Sequence, residues 1–133
     1  MIIFKNGFIR LDYDPASDIL SFAMPSVNDV VMPEMRRCLV TVVEHVRNYD
    51  VKRVLLDARE TAIGVGQEIY VPVIAEFYGS LATTRLQKVA RLVTPGSQRE
   101  RIIHGIFEGI HFPMEVRPFA EAAPAVEWLQ AKP

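Results

Sequence analysis

The residues that could bind a ligand concentrate in one stretch of this 133-residue chain, between Asp57 and Tyr70. The candidate binding residues there are Asp57, Arg59, Glu60, Thr61, Gly64, Gly66 and Tyr70. The segment 59–68 exceeds the ~2–6 residues that usually join a strand to a helix, and such extra length often serves function. The competing interpretation is that Ile63 and Val65 of this segment simply fill the core.

The run Gly64-Val65-Gly66 invites comparison with nucleotide-binding loops. A dinucleotide fingerprint would need a third glycine where Ile69 stands, and no Gly-Lys-Ser/Thr sequence follows. Turn geometry is therefore the preferred explanation for both glycines.

A candidate anion site is formed by Ser97, the N–H groups that follow it, and Arg99. The preferred alternative is an ordinary helix cap, because Ser97 and Glu100 have the spacing of a capping box, which uses the same donors.

His104 and Glu108 stand four residues apart, a spacing that can supply two metal ligands. His111 is the only other nearby candidate, and His45 belongs to a different predicted helix. A solvated His–Glu pair is the preferred interpretation, so we expect no metal and no cofactor.

Acid pairs such as Glu60 with Glu68, or Asp12 with Asp14, could serve as general acid and base. Their spacing does not orient a substrate between them, and the sequence contains no nucleophile elbow. We therefore expect a protein that is not an enzyme.

Turning to the elements that must position these residues, the pattern predicts an antiparallel hairpin from 8–12 and 19–24, joined by a Pro/Asp/Ser turn. Three further strands are predicted at 54–58, 89–93 and 114–119. Helices are predicted over 33–48, over 69–83 with Pro72 in the first turn or marking the start, after Ser97, and at the C-terminal end with Pro124 in the first turn. The expected buried stripes include Val73, Ile74, Phe77, Tyr78 and Leu81 in the second helix, and Ile102, Ile103, Ile106, Phe107 and Ile110 in the third.

The resulting order, β-β-α-β-α-β-α-β-α, predicts a single α/β domain with a mixed sheet and four helices. Ligands of such sheets bind beyond the carboxyl ends of the parallel strands. The segments 59–68 and 94–97 share that edge.

Four features of the sequence together resemble a known family. They are the opening hairpin, the Val54–Asp57 strand with its loop, the alternating βα units, and the ending Phe119-Ala120-Glu121-Ala122-Ala123-Pro124-Ala125-Val126-Glu127-Trp128-Leu129. The chain resembles the SpoIIAA-like family, which is related to the STAS domain and has the outline of the CRAL-TRIO lipid-transfer fold. In STAS antagonists an Asp-Ser pair follows the corresponding strand, and phosphorylation of its serine controls docking. Here the stretch 57–66 has no serine, and Thr61 is its only residue with a hydroxyl group. We therefore do not expect this protein to be controlled by phosphorylation of the kind found in STAS antagonists.

The composition narrows the classes of partner. Fifteen basic and 16 acidic residues give a formal charge of −1, so no broad field attracts nucleic acid. The single cysteine, Cys38, fits a reducing compartment, and the first residues lack the pattern of a signal peptide. No apolar run in the sequence approaches the ~18 residues that a membrane span needs. We expect a cytoplasmic protein.

The leading hypothesis is a non-catalytic binding or regulatory module whose working surface is the segment Arg59–Glu68 and the start of the next helix. Replacing Arg59 and Thr61 with alanine should then abolish binding of a protein partner or ligand while leaving the melting temperature nearly unchanged. The alternative is a carrier of a small apolar or lipid-like ligand, because the second helix is apolar on more than one face. A homodimer interface would also explain why the second helix has apolar residues on more than one face.

Overall fold

Eight strands and four helices form the part of the chain that this computed structural model describes, residues 1–108 and 110–131. The strands are β1 (Ile2–Lys5), β2 (Arg10–Asp14), β3 (Ile19–Ala23), β4 (Val27–Asn28), β5 (Arg53–Asp57), β6 (Ile63–Gly64), β7 (Lys88–Leu92) and β8 (Glu115–Phe119). The helices are α1 (Met32–Asn48), α2 (Gln67–Leu81), α3 (Gln98–Phe107) and α4 (Ala122–Gln130).

The main sheet has six strands in the order β1-β2-β3-β5-β7-β8. The pairs β1–β2 and β2–β3 are antiparallel, and the pairs β3–β5, β5–β7 and β7–β8 are parallel. The prediction of a single α/β domain, with a mixed sheet that begins antiparallel and with four helices, is confirmed.

Two hydrophobic layers cover the two faces of the sheet. In β5, Val54 and Leu56 are fully buried against the layer that contains α1, α2 and α3, while Leu55 packs with α4 on the other face. This alternation follows from the two-residue side-chain period of a strand. The single cysteine, Cys38, lies in the larger layer and is 2% exposed. None of the described helices has both the length and the apolar character needed to cross a membrane.

Strand β1 was not predicted. The Asn6 side chain holds the turn that follows it, since its Oδ1 accepts hydrogen bonds from the N–H groups of Phe8 at 2.8 Å and Ile9 at 2.9 Å. The predicted turn also began too early, because Tyr13 and Asp14 belong to β2 and pair with Leu20 and Ile19.

A second, two-stranded parallel sheet joins β4 to β6 and was likewise not predicted. A Cβ atom at Gly64 would lie 2.9 Å from the Val27 carbonyl oxygen. The expectation that turn geometry explains Gly64 is therefore wrong, because the position instead requires glycine for the close approach of two chain segments. The positive φ of 76° belongs to Gly96, in the Thr94–Gly96 turn.

Helix α2 starts earlier than predicted, so Pro72 lies inside it rather than in its first turn. Proline has no N–H to bond to the carbonyl of Glu68, which weakens the helix at that point. The buried side chains Tyr70 and Ile74, on either side of Pro72, hold this turn against the sheet. Val73 was predicted to belong to the buried stripe of this helix but is only half-buried. Tyr70, one turn earlier, is buried instead.

Helix α3 ends at Phe107, so Ile110 lies beyond it and is 46% exposed rather than directed inward. Ile103 and Ile106 are buried as expected. Pro124 is in the first turn of α4, as predicted.

Candidate functional site

The register of the parallel strands brings the two predicted loops together at one edge of the sheet. Asp57 at the end of β5 pairs with Leu92 at the end of β7. The N–H of Ala58 continues the ladder by donating to the Leu92 carbonyl at 2.8 Å. Beyond it, the Thr94 hydroxyl donates to the carbonyl of Arg59 at 3.2 Å. The segments after β5 and β7 therefore lie side by side.

A cavity of about 460 Å³ opens between these segments, and we call it the loop pocket. Its wall includes residues of the segment after β5, the start of α2 and the start of α3, among them Arg59, Thr61, Ile63, Gly66, Ser97 and Arg99. Five of the sequence candidates thus share one cavity: Arg59, Thr61, Gly66, Ser97 and Arg99. The other four candidates do not line this cavity: Asp57, Glu60, Gly64 and Tyr70.

Arg59 is held by Asp57. Its Nε and Nη2 donate to the two carboxylate oxygens at 3.1 and 2.9 Å, and its backbone N–H donates to Oδ1 at 3.1 Å. These hydrogen bonds lower the pKa of the Asp57 carboxyl below its ordinary value. Much of the Arg59 charge is therefore balanced within the loop, and the pair fixes the conformation of the chain after β5.

Thr61 has a structural contact in addition to its place in the wall. Its hydroxyl donates to the carbonyl of Met24 at 2.9 Å, and the neighbouring N–H of Ala62 donates to Ser26 Oγ at 2.9 Å. These bonds tie the loop to the segment that follows β3. The expectation that replacing Thr61 would leave the melting temperature nearly unchanged conflicts with this contact, because a hydrogen bond of this kind contributes about 1 kcal/mol.

The predicted capping box at Ser97 is half formed. Ser97 Oγ accepts from the N–H of Glu100 at 3.1 Å, as expected. The Glu100 carboxylate does not return to Ser97 and instead accepts from Nη2 and Nη1 of Arg91 at 2.5 and 3.3 Å. Glu100 therefore forms an ion pair with the buried Arg91 and does not complete the capping box.

Behind the loop pocket lies a buried polar group, which we call the arginine cluster: Tyr70, Arg91, Arg99 and Glu100. Arg91, Arg99 and Tyr70 are 2%, 7% and 0% exposed. Among the described residues, Nε of Arg91, Nε of Arg99 and the hydroxyl of Tyr70 are buried without a hydrogen-bond partner. Burial raises the pKa of Tyr70, and the nearby charge of Arg99 opposes that rise.

Sequence reasoning missed Arg91. It projects from β7 into the layer of α1–α3, where its guanidinium carbon lies 5.3 Å from the centre of the Phe107 ring. The available signal was a charged residue at an inward position of the apolar run 89–93, which is unusual in a strand buried on both faces.

A second concavity, of about 370 Å³, lies between α1 and α2. Leu39, Val43 and Phe77 contribute to its wall, and an ion pair joins Arg36 to Glu76 across the two helices at 3.0 Å. The apolar residues of α2 are largely used elsewhere, since its buried side chains all belong to the hydrophobic core.

The His104–Glu108 pair is exposed, with side chains 75% and 74% accessible and an N–O distance of 3.7 Å. Within residues 1–108 and 110–131, no three His, Cys, Asp or Glu side chains are grouped closely enough to hold a metal ion.

No protein-family model matches this chain, and neither a curated protein nor a solved structure is significantly similar to it.

Proposed function

We propose that this protein is a non-catalytic binding module that takes a small ligand in the loop pocket. The observation that carries the proposal is the convergence of two separate loops and two helix starts on one cavity of about 460 Å³. Cavities of ~300–1,000 Å³ are typical of small-molecule sites.

The position of the cavity supports the proposal independently of its size. It lies beyond the carboxyl ends of β5 and β7, and open sheets of parallel strands bind ligands at that edge. Several internal contacts also hold the wall in place, including Arg59 with Asp57 and Thr61 with Met24. A wall that is already ordered loses little conformational entropy when a ligand binds.

The resemblance to the SpoIIAA-like family suggests a regulatory setting in the cytoplasm, in which a protein partner senses the bound ligand. Exposed residues are available for such a partner: Gln67 in the wall of the loop pocket, and Glu60 and Ile69 close to wall residues in sequence. Thr61 does not act as a phosphoswitch in this role, because it is half-buried and its hydroxyl donates a hydrogen bond to the Met24 carbonyl.

The alternative, a carrier of an apolar or lipid-like ligand, would use the concavity between α1 and α2. The excess of apolar residues in α2 that suggested a carrier is mostly accounted for by core packing, with Tyr70, Ile74, Phe77, Tyr78 and Leu81 all buried. We therefore favour the loop pocket.

Native mass spectrometry of protein purified from its own host without detergent tests this proposal. We expect an added mass that survives buffer exchange and is lost on denaturation. Gln98→Trp should abolish it, because Gln98 is an exposed wall residue and a bulky ring there fills the loop pocket.

The matched control is Arg101→Trp, which places the same ring on an exposed position of α3 outside the wall. A third variant, Ser80→Trp, fills the concavity between α1 and α2. Loss of the added mass in Ser80→Trp alone would favour the carrier, and its retention in Gln98→Trp would exclude the loop pocket as the binding site.

A further inference from the structure

We infer that the loop pocket binds a small organic monoanion, a carboxylate with a short apolar body, and that Arg99 receives its carboxylate. This inference rests on the proposed function and specifies the class of ligand.

The charges of the arginine cluster do not balance. Glu100 is paired with Arg91 at 2.5 Å, and no ion pair among residues 1–108 and 110–131 includes Arg99. A buried guanidinium without a counter-ion is energetically costly, because its lost hydration is not replaced. An anion from outside the chain would balance the second arginine.

Arg99 is placed to receive such an anion. It is 93% buried, as its 7% exposure implies, yet it forms part of the loop pocket wall, and its Nε has no hydrogen-bond partner within the described residues. Guanidinium groups bind carboxylates through two parallel hydrogen bonds, and these bonds are stronger than those between neutral groups. The buried Tyr70 hydroxyl lies next to the guanidinium, because both the charge of Arg99 and hydrogen bonding to its side chain act to lower the pKa of Tyr70, and this hydroxyl is a second donor.

The start of α3 reinforces the same sign of charge. Ser97 caps α3 and lines the loop pocket, whereas at the start of α2 the Glu68 carboxylate lies beside Gly66 and offsets the positive end of that helix. The N-terminal end of a helix carries a partial positive charge and free N–H groups. No aspartate or glutamate is among the residues of the wall.

The remaining wall residues of the loop pocket determine which non-ionic part of a ligand would fit. Ile63, Val65 and Ile102 add apolar residues to a wall that contains one arginine, Arg99, without an ion-pair partner among the described residues. A carboxylate cancels that one charge, whereas a phosphate dianion would leave an excess negative charge beside apolar side chains. The arrangement therefore favours a monocarboxylate with a short hydrocarbon body.

The first test separates a ligand-binding role of Arg99 from a structural one and needs no ligand. Removing an uncompensated buried charge should stabilise the free protein, so Arg99→Met should raise the melting temperature by about 3 °C. Arg101→Met, an exposed substitution on the same helix, should leave it unchanged. A lower melting temperature in Arg99→Met alone, or its failure to fold, would overturn the inference.

The second test uses ¹⁵N-labelled wild-type protein and follows the Nε–H resonance of Arg99, assigned by its absence from Arg99→Met. We titrate with sodium hexanoate, with hexanamide as an uncharged compound of the same shape, and with inorganic phosphate. Hexanoate should shift the Arg99 signal and the amide signals of Gly66 and Ser97. Hexanamide should bind at least about tenfold more weakly, as expected when a charged hydrogen bond is lost.

Equal binding of hexanoate and hexanamide would overturn the anion assignment, as would tighter binding of phosphate or the absence of a shift of the Arg99 signal with hexanoate. None of these results would affect the ligand-binding proposal itself, since the added mass and its loss in Gln98→Trp are measured separately. A neutral co-purified ligand would likewise refute this inference alone.

Discussion

At the residue scale, several side chains near the loop pocket have structural contacts as well as a place in or beside its wall. The Arg59 side chain donates hydrogen bonds to the Asp57 carboxylate, and the Thr61 hydroxyl donates one to the backbone carbonyl of Met24, in the segment after β3. Arg99 differs from them, because among the described residues its Nε is buried without a hydrogen-bond partner and no ion pair includes it. Residue type alone could not separate these cases, since Arg59 and Arg99 are equally able to bind an anion.

Thr61→Val tests the structural contact of Thr61. Valine keeps the shape of threonine but removes the donor, so the Met24 carbonyl loses its hydrogen bond and the free energy of unfolding should fall by about 1–2 kcal/mol. Equilibrium unfolding in urea measures the change. The control is Thr41→Val, because the Thr41 hydroxyl bonds to the Arg37 carbonyl on an exposed helix face, where the effect should be within about 0.5 kcal/mol. Equal effects of the two variants would contradict this account.

At the element scale, long periodic segments were predictable and short ones were not. The α1 prediction, 33–48, differs from the observed helix by one residue, because seven buried side chains recur at helical spacing there. Strands β4 and β6 have two residues each, which is too short for any periodicity to show. Strand β1 did carry a signal, the Asn6-Gly7 pair between two β-prone runs, which is a strong indication of a hairpin.

The start of α2 could not be predicted from local rules because tertiary packing overrides them. Proline inside a helix is unfavourable by about 3 kcal/mol, which is why the sequence suggested a start nearer Pro72. The burial of Tyr70 and Ile74 compensates for that cost in the folded chain.

Pro72→Ala tests this explanation. It restores an N–H for the Glu68 carbonyl, so the free energy of unfolding should rise by about 1–3 kcal/mol. Pro33→Ala is the control, since Pro33 lies in the first turn of α1, where no intrahelical bond is lost. Urea unfolding of both variants decides the point, and a destabilised Pro72→Ala would show that the proline is needed for the native path of α2.

At the scale of the whole molecule, the sequence indicated the edge of the sheet where the candidate site lies, but not how the charges of that candidate site are arranged. The edge follows from chain order alone, because parallel strands align their carboxyl ends. The arginine cluster combines side chains from α2, β7 and α3, and pairing Glu100 with Arg91 rather than with the cap at Ser97 requires the packed structure. That Arg99 has no ion-pair partner among the described residues could therefore not be inferred from its neighbours in sequence.

Stability at alkaline pH is a further property of the whole fold. Burial and the hydrogen bond that Tyr13 donates to Asp18 at 2.8 Å raise the pKa of Tyr13 from 10.0 to about 12. The folded state therefore retains a proton that the unfolded state releases, so this stabilisation is fully present below pH 10 and falls as the pH rises from about 10 to 12. Burial also raises the pKa values of Tyr70 and Tyr78, in the same direction.

The free energy of unfolding, measured by urea titration across this range, should decrease with pH. Tyr13→Phe should reduce the slope by removing one of the contributing phenols, and an unchanged slope in that variant would contradict the assignment. Ultraviolet titration of the phenolates provides a separate check, because the variant should lose absorbance that appears late in the wild-type curve.

The burial of Cys38 has a practical consequence for studying the molecule. Ala16 is exposed in the turn between β2 and β3, at the opposite edge of the sheet from the loop pocket. A cysteine introduced at this position would be the accessible thiol of the chain, while the native thiol stays shielded from reagents. A fluorophore or surface linker attached there would orient every molecule with its loop pocket facing the solution.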